Sequence, residues 1–183
     1  MSGDRYLIVN QNLPHFITMT VVEWVDIFTR KDYKIIIVDA LNYCIQNKGL
    51  EVFAWVIMSN HVHLIVRAKE GKILSHILRD LKKFTSKEIV LTITTIAESR
   101  RDWLLNRFSF EAKRTGRAKY YKVWRDANHA VCLENTEWIL QRLNYIHQNP
   151  VRQMIVSNCE EYIFSSAIDY AGGKGLVIVT KVW

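Results

Sequence analysis

Val52-Phe53-Ala54-Trp55-Val56-Ile57-Met58, then Ser59-Asn60, then His61-Val62-His63-Leu64-Ile65-Val66-Arg67-Ala68: two apolar runs meet at a two-residue polar break. β-Branched and aromatic runs of this length read as strands, and the break is short enough for a tight hairpin. A strand alternates its side chains, so Val62, Leu64 and Val66 enter one face. His61 and His63 project from the other, with Ile65 and Arg67 beside them. The buried face is complete without the histidines.

Outward from this hairpin the pattern stays regular. Phe16–Val22 is a further strand-like run, rich in Thr, Val and Ile. Thr29 is placed to cap a helix from Lys31 to about Asn47, whose Tyr33, Ile37, Ala40, Leu41 and Cys44 recur at helical spacing. Gly49 is a suitable stop. After Gly71 a second helix carries Leu74, Ile77, Leu78, Leu81, Phe84 and Thr85 on one stripe. Arg101–Phe110 reads as a short helix, Thr115-Gly116 as a turn, and Lys122–Leu133 as a strand interrupted by Asp126-Ala127-Asn128-His129. Asn135 caps a last helix from Thr136 to about Gln148. Pro150 closes it, because the residue before proline is pushed from helical geometry.

Strand, helix, strand, strand, helix, strand is the split βαβ order. The expected fold is therefore α+β and ferredoxin-like: an antiparallel sheet with both helices on one face, plus an additional C-terminal helix carrying Tyr145. The 183 residues suit one domain, with a core over about 16–150 and a tail over 151–183. Apolar stretches such as Ile35–Val38 are far too short to span a bilayer, and Met1–Leu13 offers no secretory core. The expected location is cytoplasmic. Cys44, Cys132 and Cys159 are widely spaced, which excludes a cysteine zinc cage and reads as three buried small apolar residues.

The net charge of +7 is concentrated. Arg100, Arg101, Arg107, Lys113, Arg114, Arg117, Lys119, Lys122 and Arg125 face only Asp102 and Glu111, so this segment alone equals the excess of the whole chain. A basic segment suits a polyanion, and Trp103, Phe108, Tyr120, Tyr121 and Trp124 interleave with it as base-stacking groups would. The candidate nucleic-acid contacts are Arg100, Arg101, Lys113, Arg114, Arg117, Lys119, Tyr120, Tyr121, Lys122 and Arg125. A charge run by itself is more often a solvated face over core aromatics.

The last helix supplies the chemistry. Residues four apart lie about 40° apart around the axis, so Tyr145 and Asn149 can face one site together, while His147 lies about 200° from Tyr145. Two imidazoles and an amide oxygen can hold a divalent metal beside a phenol, which is equipment for attacking a phosphodiester. A free phenol titrates near pH ~10 and is a poor nucleophile, so positive charge must favour the phenolate. Mixed oxygen and imidazole donors permit Mg2+ or Mn2+, and zinc also suits the histidines. Taken singly, a His-x-His pair is more often structural, and Tyr145 reads as a half-buried aromatic.

Together, Met58-Ser59-Asn60-His61-Val62-His63-Leu64-Ile65-Val66 and Tyr145-Ile146-His147-Gln148-Asn149-Pro150-Val151-Arg152 resemble the HUH single-tyrosine transposases, above all the REP-associated tyrosine branch. Val123-Trp124-Arg125, Ser165-Ser166 and Tyr170 extend the resemblance, which runs from about Phe16 to Tyr170. It implies that His61 and His63 bind the metal with Asn149 as third ligand, and that Tyr145 is the nucleophile. The implied substrate is single-stranded DNA beside a hairpin, cut through a 5′-phosphotyrosine, with a homodimer as the working unit. The chain departs from the family at Ser59, where proline is usual, at Gln153-Met154, and at Phe164 in place of tryptophan. A non-catalytic hairpin- or single-strand-binding module, a decayed transposase and a small-molecule metal hydrolase remain the rival readings.

Overall fold

A computed structural model describes residue 8 and residues 10–182. Most of the Met1–Leu13 stretch, read above for a secretory core, lies outside the described residues, as does Trp183. Four strands, β1 (His15–Thr20), β2 (Leu50–Ile57), β3 (His61–Ala68) and β4 (His129–Cys132), form one antiparallel sheet in the order β2-β3-β1-β4. Between them run α1 (Lys31–Asn47), α2 (Leu74–Thr95) and α3 (Arg101–Thr115). After β4 come α4 (Thr136–Arg152) and a short α5 (Ala167–Tyr170). This is the ferredoxin-like α+β arrangement, with α3 inserted before the last strand.

The register fixes two faces. Ile17 pairs with Leu64 and Met19 with Val62, and all four are wholly buried. On this side α1 packs against β2 and α2 against β3, with Ile37, Leu41, Leu78 and Leu81 buried between. Burying such a side chain contributes about 1.5–3 kcal/mol, so this dry layer dominates the fold. The second face carries a row across three strands, His129–Thr18–His63, because Thr18 pairs with both histidines. α4 lies here.

Local departures have physical causes. Thr29 does not cap α1: its hydroxyl donates to the Asp26 carbonyl, and Arg30 occupies the N-cap without a side-chain bond. Gly49 ends α1 with a left-handed φ of 73°. The Ser59-Asn60 hairpin closes through Met58 N–H to the His61 carbonyl at 2.8 Å. The Phe16–Val22 run stops as strand at Thr20, because Glu23 and Trp24 take positive φ of 51° and 58°. Lys122–Leu133 keeps only β4 and an isolated bridge from Trp124 to Val21, the polar residues between having no apolar alternation to pair. Asn135 does cap α4, accepting from Trp138 N–H at 2.9 Å. Pro150 does not end it: α4 continues to Arg152, since in the last turn proline removes one hydrogen bond and few residues follow. Of the cysteines only Cys44 is buried, and Cys132 and Cys159 are partly exposed.

The tail gains a definite role. β2 is an edge strand, with unpaired backbone groups that invite association. Residues 164–180 cover it: Ile57 N–H donates to Phe164, Ser166 N–H to Trp55 and Thr180 N–H to Val52. Tyr162 and Tyr170 donate their hydroxyls to the Ile57 and Phe53 carbonyls. The stretch Gly172-Gly173-Lys174-Gly175 follows a turn, and a Cβ on Gly175 would collide with the Asp169 carboxylate.

Candidate active site and nucleic-acid interface

Strand alternation places His61 and His63 side by side, with ring centroids 4.6 Å apart. α4 brings Tyr145 against them: its ring centroid is 5.3 Å from that of His63 and 5.9 Å from that of Phe16. Asn149, one turn on, is buried, whereas Tyr145 is half-buried. His147 faces the other way, as the helical angle requires. It is buried beside Tyr170, with Nε2 2.9 Å from the Ser166 hydroxyl.

Both histidines are held at Nδ1. Asn60 Oδ1 stands 2.6 Å from His61 Nδ1 and only accepts, so the proton sits on Nδ1 and Nε2 keeps its lone pair. His63 Nδ1 is 2.9 Å from the Thr18 hydroxyl. Its Nε2 is buried with no hydrogen-bond partner. Leaving such an atom unpaired costs about 1–3 kcal/mol. Burial first, then the positive neighbours His61, Arg142 and His129, push the His63 pKa down to about 3. Burial lowers His61 as well. Two neutral imidazoles, each braced at Nδ1, are the donor set that a divalent cation takes. Among the described residues no three His, Cys, Asp or Glu side chains gather as a metal cluster.

His63 and Tyr145 open into a cleft of about 920 Å³ that Phe16, Thr18, His129 and Arg142 also line. Arg142 lies over the Phe16 ring at 5.0 Å, and Arg152 over the Tyr145 ring at 5.5 Å. These two cations were not singled out from the sequence. Their signal was positional, since Arg142 precedes Tyr145 by three residues and Arg152 follows by seven, both near one helix face.

The basic segment divides in the fold. Arg100 pairs with Asp26 at 2.7 Å, and Arg101 donates to the Ile93 and Ile96 carbonyls at the end of α2. Arg114 forms a two-pronged contact with Glu111 at 2.8 and 2.9 Å. Lys122 is buried against Asp126 at 2.7 Å, and Arg117 reaches the same carboxylate at 3.4 Å. Asp126 lies one residue past the counted segment, and Asp26, Glu98 and Glu23 come from elsewhere, so the charge is less bare than the count implied. Lys113, Lys119 and Arg125 are exposed and form no ion pair among the described residues. Arg114, Lys122 and Arg125 line the Tyr145 cleft. Lys119, Tyr120 and Tyr121 line a neighbouring groove of about 800 Å³ along α2, with Arg79, Lys83 and Lys87 opposite. Arg100, Arg101 and Lys113 line neither.

Comparison with known proteins bears on the fold and the family. A solved structure described as the REP-associated tyrosine transposase bound to a REP hairpin superposes with a TM-score of 0.62 at 19% identity, covering 97% of this chain and 90% of that one. A solved structure from Deinococcus radiodurans R1 gives a TM-score of 0.45 at 16% identity over 80% of this chain and 95% of that one. No curated protein matches. The family described as "Transposase IS200 like" matches residues 9–126, a span that holds His61 and His63 and stops before α4. With nearly two thirds of its length matched, the chain belongs to the IS200-like transposase family.

Proposed function

We propose that the chain is a single-domain, metal-dependent transposase acting on single-stranded DNA beside a hairpin, with Tyr145 as nucleophile. The observation that carries this reading is the unpartnered, buried Nε2 of His63 beside the Tyr145 ring. His61 and His63, with the Asn149 amide oxygen, would hold Mg2+ or Mn2+, which would supply charge to polarise the scissile phosphate and offset transition-state charge. Tyr145 Oη attacks phosphorus as its proton passes to water, the P–O3′ bond breaks, and the leaving 3′-oxygen takes a proton from water. The products are a 5′-phosphotyrosine and a free 3′-hydroxyl, and attack by another strand's 3′-hydroxyl reverses the step. Arg152, over the Tyr145 ring, and Arg142, over the neighbouring Phe16 ring, offer positive charge to the incoming phosphate.

The DNA backbone follows Arg125 and Arg114 out of the cleft towards Lys119, Tyr120 and Tyr121. The printed description of the first similar structure, bound to a REP hairpin, supports the hairpin as ligand. Among the described residues no helix is long and apolar enough to cross a membrane, which accords with action on DNA in the cytoplasm. A homodimer, as the resemblance implies, has its contact away from the β2 edge, which the tail occupies.

The test uses labelled single-stranded DNA from the repeats flanking the gene, with and without manganese, resolved on denaturing gels. The expected result is a metal-dependent covalent adduct, absent with Tyr145→Phe while binding persists. An adduct retained in that variant removes Tyr145 as nucleophile. Hairpin binding without any adduct favours a non-catalytic module.

A further inference from the structure

Trp24 is the large aromatic that the cleft leaves most open. Its side chain is 57% exposed, whereas Phe16 is buried and Tyr145 half-buried. Tyr120 and Tyr121 line the neighbouring groove and not this cleft. The ring contributes little to the core, and its backbone is strained: Glu23 and Trp24 both hold left-handed φ, 51° and 58°, which residues with a Cβ avoid.

Such strain persists only where the surroundings over-determine it. Here they do. Val22 N–H donates to the Val123 carbonyl at 2.8 Å, and Arg125 N–H to Thr20 at 2.9 Å. Glu23 is tied to Arg107 at 3.4 Å. The turn therefore holds an indole at the mouth of the cleft, on the same wall as Arg125. The Arg125 guanidinium lies 5.5 Å from the indole centroid, backing one side of the ring.

We infer that Trp24 and Arg125 form a nucleobase subsite, in which one unpaired base of the DNA substrate stacks on the indole while the guanidinium backs the ring. The inference rests on the proposed single-stranded DNA substrate and adds to it the residue that receives a base. Stacking is sequence-tolerant, so the subsite fixes the position of the strand relative to Tyr145 without reading which base is present.

The experiment measures equilibrium binding of the repeat hairpin oligonucleotide, with its single-stranded flank intact and with one abasic site placed at each flank position in turn. The full chain carries Tyr145→Phe throughout, so that no cleavage occurs. Trp24→Ala weakens binding of the intact oligonucleotide about 5- to 150-fold, the range for loss of one base–aromatic stack. Trp24→Phe retains most of the affinity. Trp24→Gly relieves the left-handed strain, so it binds as weakly as Trp24→Ala while melting no lower than the parent. At one flank position the abasic site and Trp24→Ala are non-additive, each abolishing the effect of the other. Additive losses at every position, or unchanged affinity in Trp24→Ala, overturn the subsite while leaving the wider reading standing. Failure of the parent protein to bind the hairpin overturns both.

Discussion

Two buried histidines, one on each side of α4, differ in a single atom. His63, on the sheet face towards Tyr145, and His147, towards the tail, are both driven down, to about 3 and about 4, with burial as the main cause. His147 has its Nε2 satisfied by Ser166, whose hydroxyl also bonds the Trp55 backbone. His63 has its Nδ1 held by Thr18 and its Nε2 left bare. Burial and a low pKa alone therefore do not mark a functional histidine. Nor does an unmet bond by itself, since His15 is equally buried with its Nε2 unpartnered on the Ile17 face of the sheet; what sets His63 apart is that its ring lies beside those of His61 and Tyr145.

The largest effect expected from this comparison is on His63. His63→Ala should reduce metal-dependent adduct formation by about 100-fold or more, and Thr18→Val should weaken the apparent metal affinity by about 10- to 100-fold, as loss of a bracing partner does. Titrating adduct rate against manganese measures both. Wild-type metal dependence in His63→Ala would place the cation elsewhere and dissolve the contrast.

Next in size is the other side of α4. Ser166→Ala leaves His147 Nε2 and the Trp55 amide without their shared partner, so it should cost about 1–3 kcal/mol of stability. Denaturant unfolding reads this. DNA binding by the folded protein should be unchanged, which separates a structural histidine from a functional one.

A further test concerns a cation under the same burial. Lys82, whose ammonium contacts the Arg125 carbonyl at 2.6 Å and Asn128 at 2.9 Å, is lowered by burial from 10.5 to about 8. Between those values the unfolded chain holds a proton that the folded chain has released, so stability should rise with pH across that window. Thermal unfolding of the parent and Lys82→Met from pH ~7.5 to ~10.5 tests the sign: the parent gains relative to the variant as pH rises. A parent that loses ground would mean that the Arg125 and Asn128 contacts outweigh burial.

Much of this was legible in the chain itself. The Val52–Ala68 hairpin, the α1 bounds, the Asn135 cap and the split βαβ order all follow from periodicity and local turn chemistry, and the structure carries them. So does the divergence of Tyr145 and His147, since helical geometry fixes an angle between neighbours whatever the surroundings. Less was legible wherever a partner comes from far along the chain. Thr29, Pro150 and the Lys122–Leu133 run were misjudged because local propensity was overruled by contacts or by nearness to an element's end.

The sequence by itself determined the fold class and which side chains share a face of the histidine strand and of the tyrosine helix, because alternation and the 3.6-residue period are intrinsic to the backbone. Only the tertiary structure decided which charges remain available, which histidine nitrogen is bare, and that Trp24 stands open in the cleft. Those depend on Asp26 meeting Arg100, Thr18 meeting His63, and Val123 pinning Val22, pairs set by chain crossings and not by local pattern.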